Sequence, residues 1–378
     1  MERKLGKGNK HYYRRCGNSR SFTRRGRMMV DQRHAPLRQI EVRQPPQKTA
    51  SQSHDQARMA PTPQHLPNFF IVGAPKAGTT SLYHYLSQHP EIYMSPIKEP
   101  CHFSSEIRPE NFSDEIRAGA EAAFREQQQY LQGPMTEQRF GGLGMDWEDY
   151  MKLFRNVKAE TAIGEASVRY LWSKTAAANI QAKIPHAKIL VVVRDPVSRA
   201  FSEYLELITV GRLRYSFRKY VESCLNCEPG KISLWWPVLE AGLYYESVKR
   251  YLDRFPRENV HILLYDDYRA EPAPVLAEIF RFLGVDSSFT PDLSKRHNEA
   301  RVPRFLLIGR LLNKRGVWNG LGSLLPTGFT PLLRKIALRP RDMVVASPSD
   351  REFLLRYYGD DIRKLAELLN RDLTAWFC

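Results

Sequence analysis

The sequence predicts a three-layer α/β fold with a central parallel sheet flanked by helices. Three observations carry that expectation. Phe69 to Val72 is a short apolar run that stops at Gly73 and gives way to a helix-forming stretch. Lys188 to Val193 reads Lys-Ile-Leu-Val-Val-Val, an unbroken apolar run of the kind buried on both faces of a parallel sheet. Other short apolar runs alternate with helical patterns between these and beyond, as in repeated strand–helix–strand units.

In chain order, Gly73 and Gly78 allow a tight turn after the first strand. From Thr79 onward, Leu82, Tyr83 and Leu86 fall at helical spacing, and Thr79, Thr80 and Ser81 are able to cap that helix. Ile92 to Met94 is a second short strand, and the segment Ser95 to Ser105 follows it. Residues 105–145 are polar and read as an irregular insertion with one helix near 114–131. Asp146 to Phe154 begins a helix, Ala162 to Glu165 ends a strand, and a further helix runs to about Ile184. After the Lys188–Val193 strand, Asp195 caps a helix and Pro196 takes its first position. Residues 211–240 form a basic, aromatic insertion without regular structure. Leu243 to Phe255 is helical, Val260 to Tyr265 a strand, and Pro274 to Leu283 a helix. A loop around 291–304 and a Gly/Pro-rich region lead to a pair of amphipathic helices over Ser349 to Trp376, within a C-terminal segment 349–378.

With 378 residues, 42% hydrophobic and 11% aromatic, the chain has the composition of a globular enzyme. No run approaches the roughly 20 apolar residues of a membrane span. Residues 1–66 hold 15 Lys/Arg against 4 Asp/Glu, so +11 of the net +16 lies there and +5 on the remainder. That stretch reads as a disordered basic leader, and residues 67–378 as the folded domain. The leader has no apolar core of a signal peptide. An organelle transit segment, a nucleic-acid-binding tail and an extension without a role are all open to it, the last favoured. Cys16, Cys101, Cys224, Cys227 and Cys378 are few and odd in number, which points to a reducing compartment and a cytoplasmic location. Cys224 and Cys227 have the spacing of a redox or zinc pair, but no second pair lies nearby, so a local disulfide or spectator thiols are favoured.

The stretch from Phe69 to Leu86 is therefore strand, glycine-bearing turn, helix. Backbone amides at such a helix start converge on one concavity, with the positive end of the helix dipole behind them, which makes an anion site. The spacing is P-loop-like but departs from a nucleotide triphosphate loop at one place: Thr79, not lysine, follows Gly78, and Lys76 stands inside the loop. The string Pro75, Lys76, Ala77, Gly78, Thr79, Thr80, Ser81, Leu82 resembles the 5′-phosphosulfate loop of sulfotransferases that use 3′-phosphoadenosine 5′-phosphosulfate (PAPS).

That donor is anionic at both ends, so a second anion site is required. Arg194, at the end of a buried strand, and Ser202 in the helix after it supply a guanidinium fork and a hydroxyl. Together with Asp195, Pro196, Ser198 and Arg199 they look like the 3′-phosphate motif of the same superfamily. The closest resemblance is to heparan-type carbohydrate sulfotransferases, which implies a glutamate general base at Glu99, with Lys98 holding the sulfonate or the acceptor. His102 is the rival base, since imidazole titrates nearer neutrality. Lys76 would stabilise charge on the bridging and leaving oxygens. The resemblance also implies that Glu165, Ser167 and Arg169 line an acceptor cleft and that Lys295 and Arg296 close over the nucleotide. No metal is implied. The implied activity is in-line sulfuryl transfer to a hydroxyl acceptor, with a carbohydrate favoured and a glycolipid or small alcohol open.

Two other readings compete. A P-loop kinase or NTPase is favoured by Ile262 to Asp267, which resembles a Walker B strand end, and opposed by Thr79. A nucleic-acid-binding protein would rest on the leader alone, because the rest carries only +5 and no recognition motif.

Overall fold

The computed structural model describes residues 65–105, 114–209, 213, 215–226, 238–294, 301–303, 338–340 and 345–378. The basic leader up to residue 64, Lys295 and Arg296, and Cys227 lie outside the described residues.

The elements in order are β1 (Phe69–Gly73), α1 (Thr79–Leu86), β2 (Ile92–Met94), β3 (Ile97–Lys98), α2 (Asp114–Gln132), β4 (Arg139–Phe140), α3 (Trp147–Lys152), β5 (Ala162–Ala166), α4 (Ala176–Lys183), β6 (Lys188–Val193), α5 (Pro196–Thr209), α6 (Phe217–Leu225), α7 (Tyr245–Leu252), β7 (Val260–Leu264), α8 (Tyr265–Ala270), α9 (Pro272–Leu283), β8 (Arg301–Pro303), β9 (Leu338–Pro340) and α10 (Pro348–Leu369).

The main sheet runs β2-β5-β1-β6-β7. Every pairing in it is parallel, and helices flank it. This is the P-loop-like fold that the sequence predicts. The apolar run of β1 is buried at all five positions because it lies between β5 and β6. Its register places Phe69 beside Gly164. A Cβ at Gly164 would stand 2.2 Å from the Phe69 ring, so the glycine is what lets that ring enter the core.

Because all five strands are parallel, their carboxyl ends share one edge, where ligands of open α/β sheets collect. Backbone bonds knit the loops at that edge together. Ala74 N donates to Val192 O at 2.6 Å, Ser167 N to Ile71 O at 3.0 Å, and Leu171 N to Val72 O at 2.7 Å. Glu99 N donates to Ala166 O at 2.8 Å.

Three local expectations are corrected, and two features are additional. Helix α1 is capped not by Thr79, Thr80 or Ser81 but by Gly78, whose left-handed backbone (φ 80°) ends the loop. Residues 211–240, read as irregular, contain helix α6, capped by Ser216 through Lys219 N. The C-terminal pair is one 22-residue helix, α10, followed by a 3₁₀ turn over Thr374–Phe377. Helix α8 directly after β7 and the two-residue ladder of β3 with β4 were not expected at all. Among the described residues no helix is long and apolar enough to cross a membrane.

Candidate active site

The loop leaving β1 is shaped by what packs against it. Gly73 (φ 155°) meets the turn after β5, where an added Cβ would stand 2.6 Å from Leu171 Cβ and 3.1 Å from the Val168 carbonyl. At the other end a Cβ on Gly78 would come within 3.0 Å of the Tyr265 ring. Lys76 takes a left-handed conformation (φ 63°), and Ala77 and Thr79 are buried beneath the loop while Pro75, Thr80 and Ser81 are half-buried.

Arg194 joins this loop from the end of β6. Its Nη1 donates to the Lys76 carbonyl at 2.9 Å, and its guanidinium lies over the Tyr265 ring, 4.5 Å from the centroid. The Lys76 ammonium pairs with the Glu206 carboxylate of α5. Ser202 precedes Glu206 by four residues, so the two share one helix face, and that face is turned toward the loop. The structure therefore gathers Lys76, Arg194 and Glu206 on one side of the sheet edge, with Ser202 one turn before Glu206 on α5.

Asp195, Ser198 and Arg199 have anchoring partners. Asp195 accepts from Val197 N, Ser198 N and Ser198 Oγ, which starts α5, and from Arg351 Nη1 of α10 at 2.8 Å. Arg199 is wholly buried, donating to Val238 O and to Glu203 Oε2. Arg199 thus supports the motif from inside.

Lys98 ends β3, and Glu99 follows it. The Lys98 side chain is 3% exposed and its Nζ stands 2.6 Å from Glu99 Oε1. Glu99 Oε2 accepts from Val168 N at 2.9 Å. Val168 thereby faces both halves of the site: its carbonyl packs on Gly73 and its amide holds Glu99. The β3–β4 ladder seats Phe140 beside Lys98, and Gly142 N donates to Glu99 O at 2.6 Å. His102 is half-buried, with Nδ1 2.9 Å from Met145 O and its ring stacked on Tyr150.

Glu165 and Ser167 are both wholly buried. Expected to line an acceptor cleft, the two side chains are instead enclosed and bonded to each other in this structure. Tyr150 and Tyr170 hydroxyls donate to Glu165 Oε1 at 3.0 and 2.8 Å, and Ser167 Oγ donates to Oε2 at 2.7 Å. Burial pushes the Glu165 carboxyl up to about 7, against the three hydroxyl donors, with the Glu99 charge adding to the rise. Arg169 is half-buried. Of the Walker-B-like pair, Asp266 and Asp267 lie in the first turn of α8, and Asp267 accepts from Arg371 at 2.7 Å.

Glu206, Tyr265, Arg351, Tyr150 and Tyr170 went unnoticed in the sequence. Only Glu206 had a local signal, its spacing of four from Ser202.

Fold and site together define a P-loop-like α/β protein with cationic groups and carboxylates paired at the carboxyl edge of its sheet. The chain belongs to the sulfotransferase family: a family model described as "Sulfotransferase family" matches residues 67–291. Among similar proteins, mouse bifunctional heparan sulfate N-deacetylase/N-sulfotransferase 4 is 27% identical over 83% of this chain and 31% of its own length. Rat carbohydrate sulfotransferase 15 is 28% identical over 82% of this chain and 54% of its own length. The chain thus spans between about a third and a half of these curated relatives. The crystal structure of a sulfotransferase from Alicyclobacillus acidocaldarius superposes with a TM-score of 0.59 at 32% identity, covering 82% of this chain and 99% of that one.

Proposed function

We propose that this chain transfers the sulfuryl group of PAPS to a hydroxyl of a carbohydrate acceptor, with Glu99 as the general base. One observation carries the reading: through Val168, the turn after β5 packs against the anion loop and holds the Glu99 carboxylate. The base is thereby fixed against the loop expected to hold the reacting group.

The residues present fit that donor. Helix α1 opens without a side-chain cap and without an acid in its first turn, which suits an anion at its start. Lys76 is the cation for the 5′-phosphosulfate, and Arg194 with Ser202 suits the 3′-phosphate. In the reaction the acceptor oxygen forms a bond to sulfur as the sulfur–oxygen bond to the phosphate breaks. Glu99 takes the acceptor proton, and Lys76 offsets the charge growing on the leaving phosphate oxygen. Lys98, bonded to Glu99, aims that carboxylate. Glu99 is preferred to His102 because Val168 N ties its carboxylate to the turn that packs on the anion loop. The carbohydrate preference rests on similarity to proteins named as heparan sulfate and carbohydrate sulfotransferases.

Calorimetric titration with 3′-phosphoadenosine 5′-phosphate, beside ATP with magnesium, tests the donor half. Micromolar-range binding of the bisphosphate and much poorer ATP binding are expected. Tight ATP–magnesium binding without bisphosphate binding would reject the reading in favour of a P-loop kinase.

A further inference from the structure

The three hydroxyl residues that donate to Glu165 share a second property. Ser167 Oγ also accepts from Cys101 N at 3.1 Å, and the Tyr170 hydroxyl accepts from Phe103 N at 3.2 Å. The Tyr150 ring lies flat against His102, with centroids 4.6 Å apart and planes 18° apart. All three therefore grip the segment 99–103 that carries Glu99. That segment needs a grip, because Glu99 (φ 66°) and Cys101 (φ 58°) both sit in the left-handed region with Pro100 between them. Non-glycine residues persist there only where their surroundings hold them.

We propose that Glu165 is a positioning residue for the reaction, a buried acceptor that aligns three hydroxyls so that they hold the 99–103 segment and aim Glu99. The inference rests on the assignment of Glu99 as base under the proposed function. The clamp is complete when Glu165 is an acceptor-only group, ionised above pH 7 at the cost in stability that its raised carboxyl imposes. An ionised carboxylate takes a hydrogen from each hydroxyl, which leaves the lone pairs of Ser167 and Tyr170 to face the amides of Cys101 and Phe103. An amide side chain would bring its own donor and turn one hydroxyl around. The titratable groups that face Glu165 are Tyr150 from α3, Tyr170 after β5, and Glu99 and Cys101 from the segment itself.

The test uses the full chain with Glu165→Gln, Ser167→Ala, Tyr150→Phe and the Glu165→Gln/Ser167→Ala double variant. Hydrogen exchange followed by mass spectrometry reads the clamp without reference to activity. Glu165→Gln is expected to speed exchange of the peptide covering 98–104 at least tenfold, with β1 and β6 peptides unchanged. Sulfuryl transfer should fall at least tenfold in kcat while bisphosphate affinity stays within twofold. The double variant should be no slower than the slower single one, because both lie on one line of contacts. Ser167→Ala should cost more than Tyr150→Phe, which removes a donor without freeing a backbone amide. If Glu165→Gln does not fold, Ser167→Ala alone carries the same exchange and kcat expectations. Unchanged exchange at 98–104, multiplying losses, or a kcat loss that disappears on cooling to well below the melting transition would each overturn the proposal. A wild-type chain that neither binds the bisphosphate nor transfers sulfuryl overturns the parent reading and with it the role in catalysis. In that case faster exchange in Glu165→Gln would still show the clamp.

Discussion

Arg194 Nη1 donates to the Lys76 carbonyl at 2.9 Å, so the guanidinium after β6 fixes the backbone of the loop after β1. The same guanidinium lies over Tyr265, which in turn packs on Gly78. Arg194→Ala should weaken 3′-phosphoadenosine 5′-phosphate binding by about 1.5–3 kcal/mol, the worth of a charge-assisted hydrogen bond. Arg194→Lys should recover little of this, because an ammonium has neither the fork nor the flat face. Calorimetry on both variants checks the point, and full recovery by lysine would refute it.

The Lys76–Glu206 pair is partly exposed, at 22% and 51% of the two side chains. Such a pair is worth at most about 1 kcal/mol and is screened by salt. Glu206→Gln should therefore raise bisphosphate affinity by no more than about fivefold at low salt, with the difference shrinking at high salt. A loss of affinity in Glu206→Gln would mean that the carboxylate orients Lys76 for the anion rather than competing with it.

Gly73→Ala places a methyl 2.6 Å from Leu171 Cβ in a backbone conformation at φ 155° that side chains rarely adopt. Neither neighbour is the end of a flexible chain, so the turn from 168 to 171 must move. Overpacking of this kind costs about 1–3 kcal/mol, readable as a lower midpoint in urea unfolding. Since Val168 also holds Glu99, the surviving folded protein should lose transfer activity as well. A Gly73→Ala variant with wild-type stability and rate would show that the turn does not couple loop and base.

Glu165 makes stability depend on pH in a stated direction. Burial raises its carboxyl from the ordinary 4.5 to about 7, so the folded chain binds that proton more tightly than the unfolded chain does. Its stabilising contribution is complete below pH 4.5 and is lost as pH rises through 7. Relative to Glu165→Gln, the wild type should lose up to about 3 kcal/mol between pH 4.5 and pH 8. Urea unfolding of both chains at several pH values in that range checks this, and a difference that does not change with pH would contradict it.

The parts of the fold that were legible in the sequence are those whose signal is local. The unbroken apolar runs of β1 and β6 announce buried parallel strands, and Asp195 with Pro196 announces the start of α5. Strands β3 and β4 were not legible, because two residues each carry no period. Helix α6 was hidden by its basic and aromatic surroundings. The cap of α1 was misassigned because Gly78 fills by backbone conformation a position where a hydroxyl side chain is usual. The site divides the same way. Lys76, Glu99 and Arg194 stand in short motifs and could be found there, and the structure brings Arg194 to the Lys76 loop. Glu206 and Arg351 could not be found as partners, since their contacts span 130 and 156 residues of sequence. Glu165 was named through the family resemblance, and its burial beside Phe70 was not legible because it comes from the register of β5 with β1.

The most direct test of the central claim is single-turnover transfer of radiolabelled sulfuryl from PAPS to a panel of unsulfated polysaccharides and oligosaccharides, with wild type and Glu99→Gln side by side. Label on at least one carbohydrate is expected with the wild type. For Glu99→Gln the expected rate is lower by about 10²–10⁴, the usual worth of a general base, with bisphosphate affinity retained. Transfer by Glu99→Gln at the wild-type rate, or no carbohydrate labelled by a wild type that binds the bisphosphate, would contradict it.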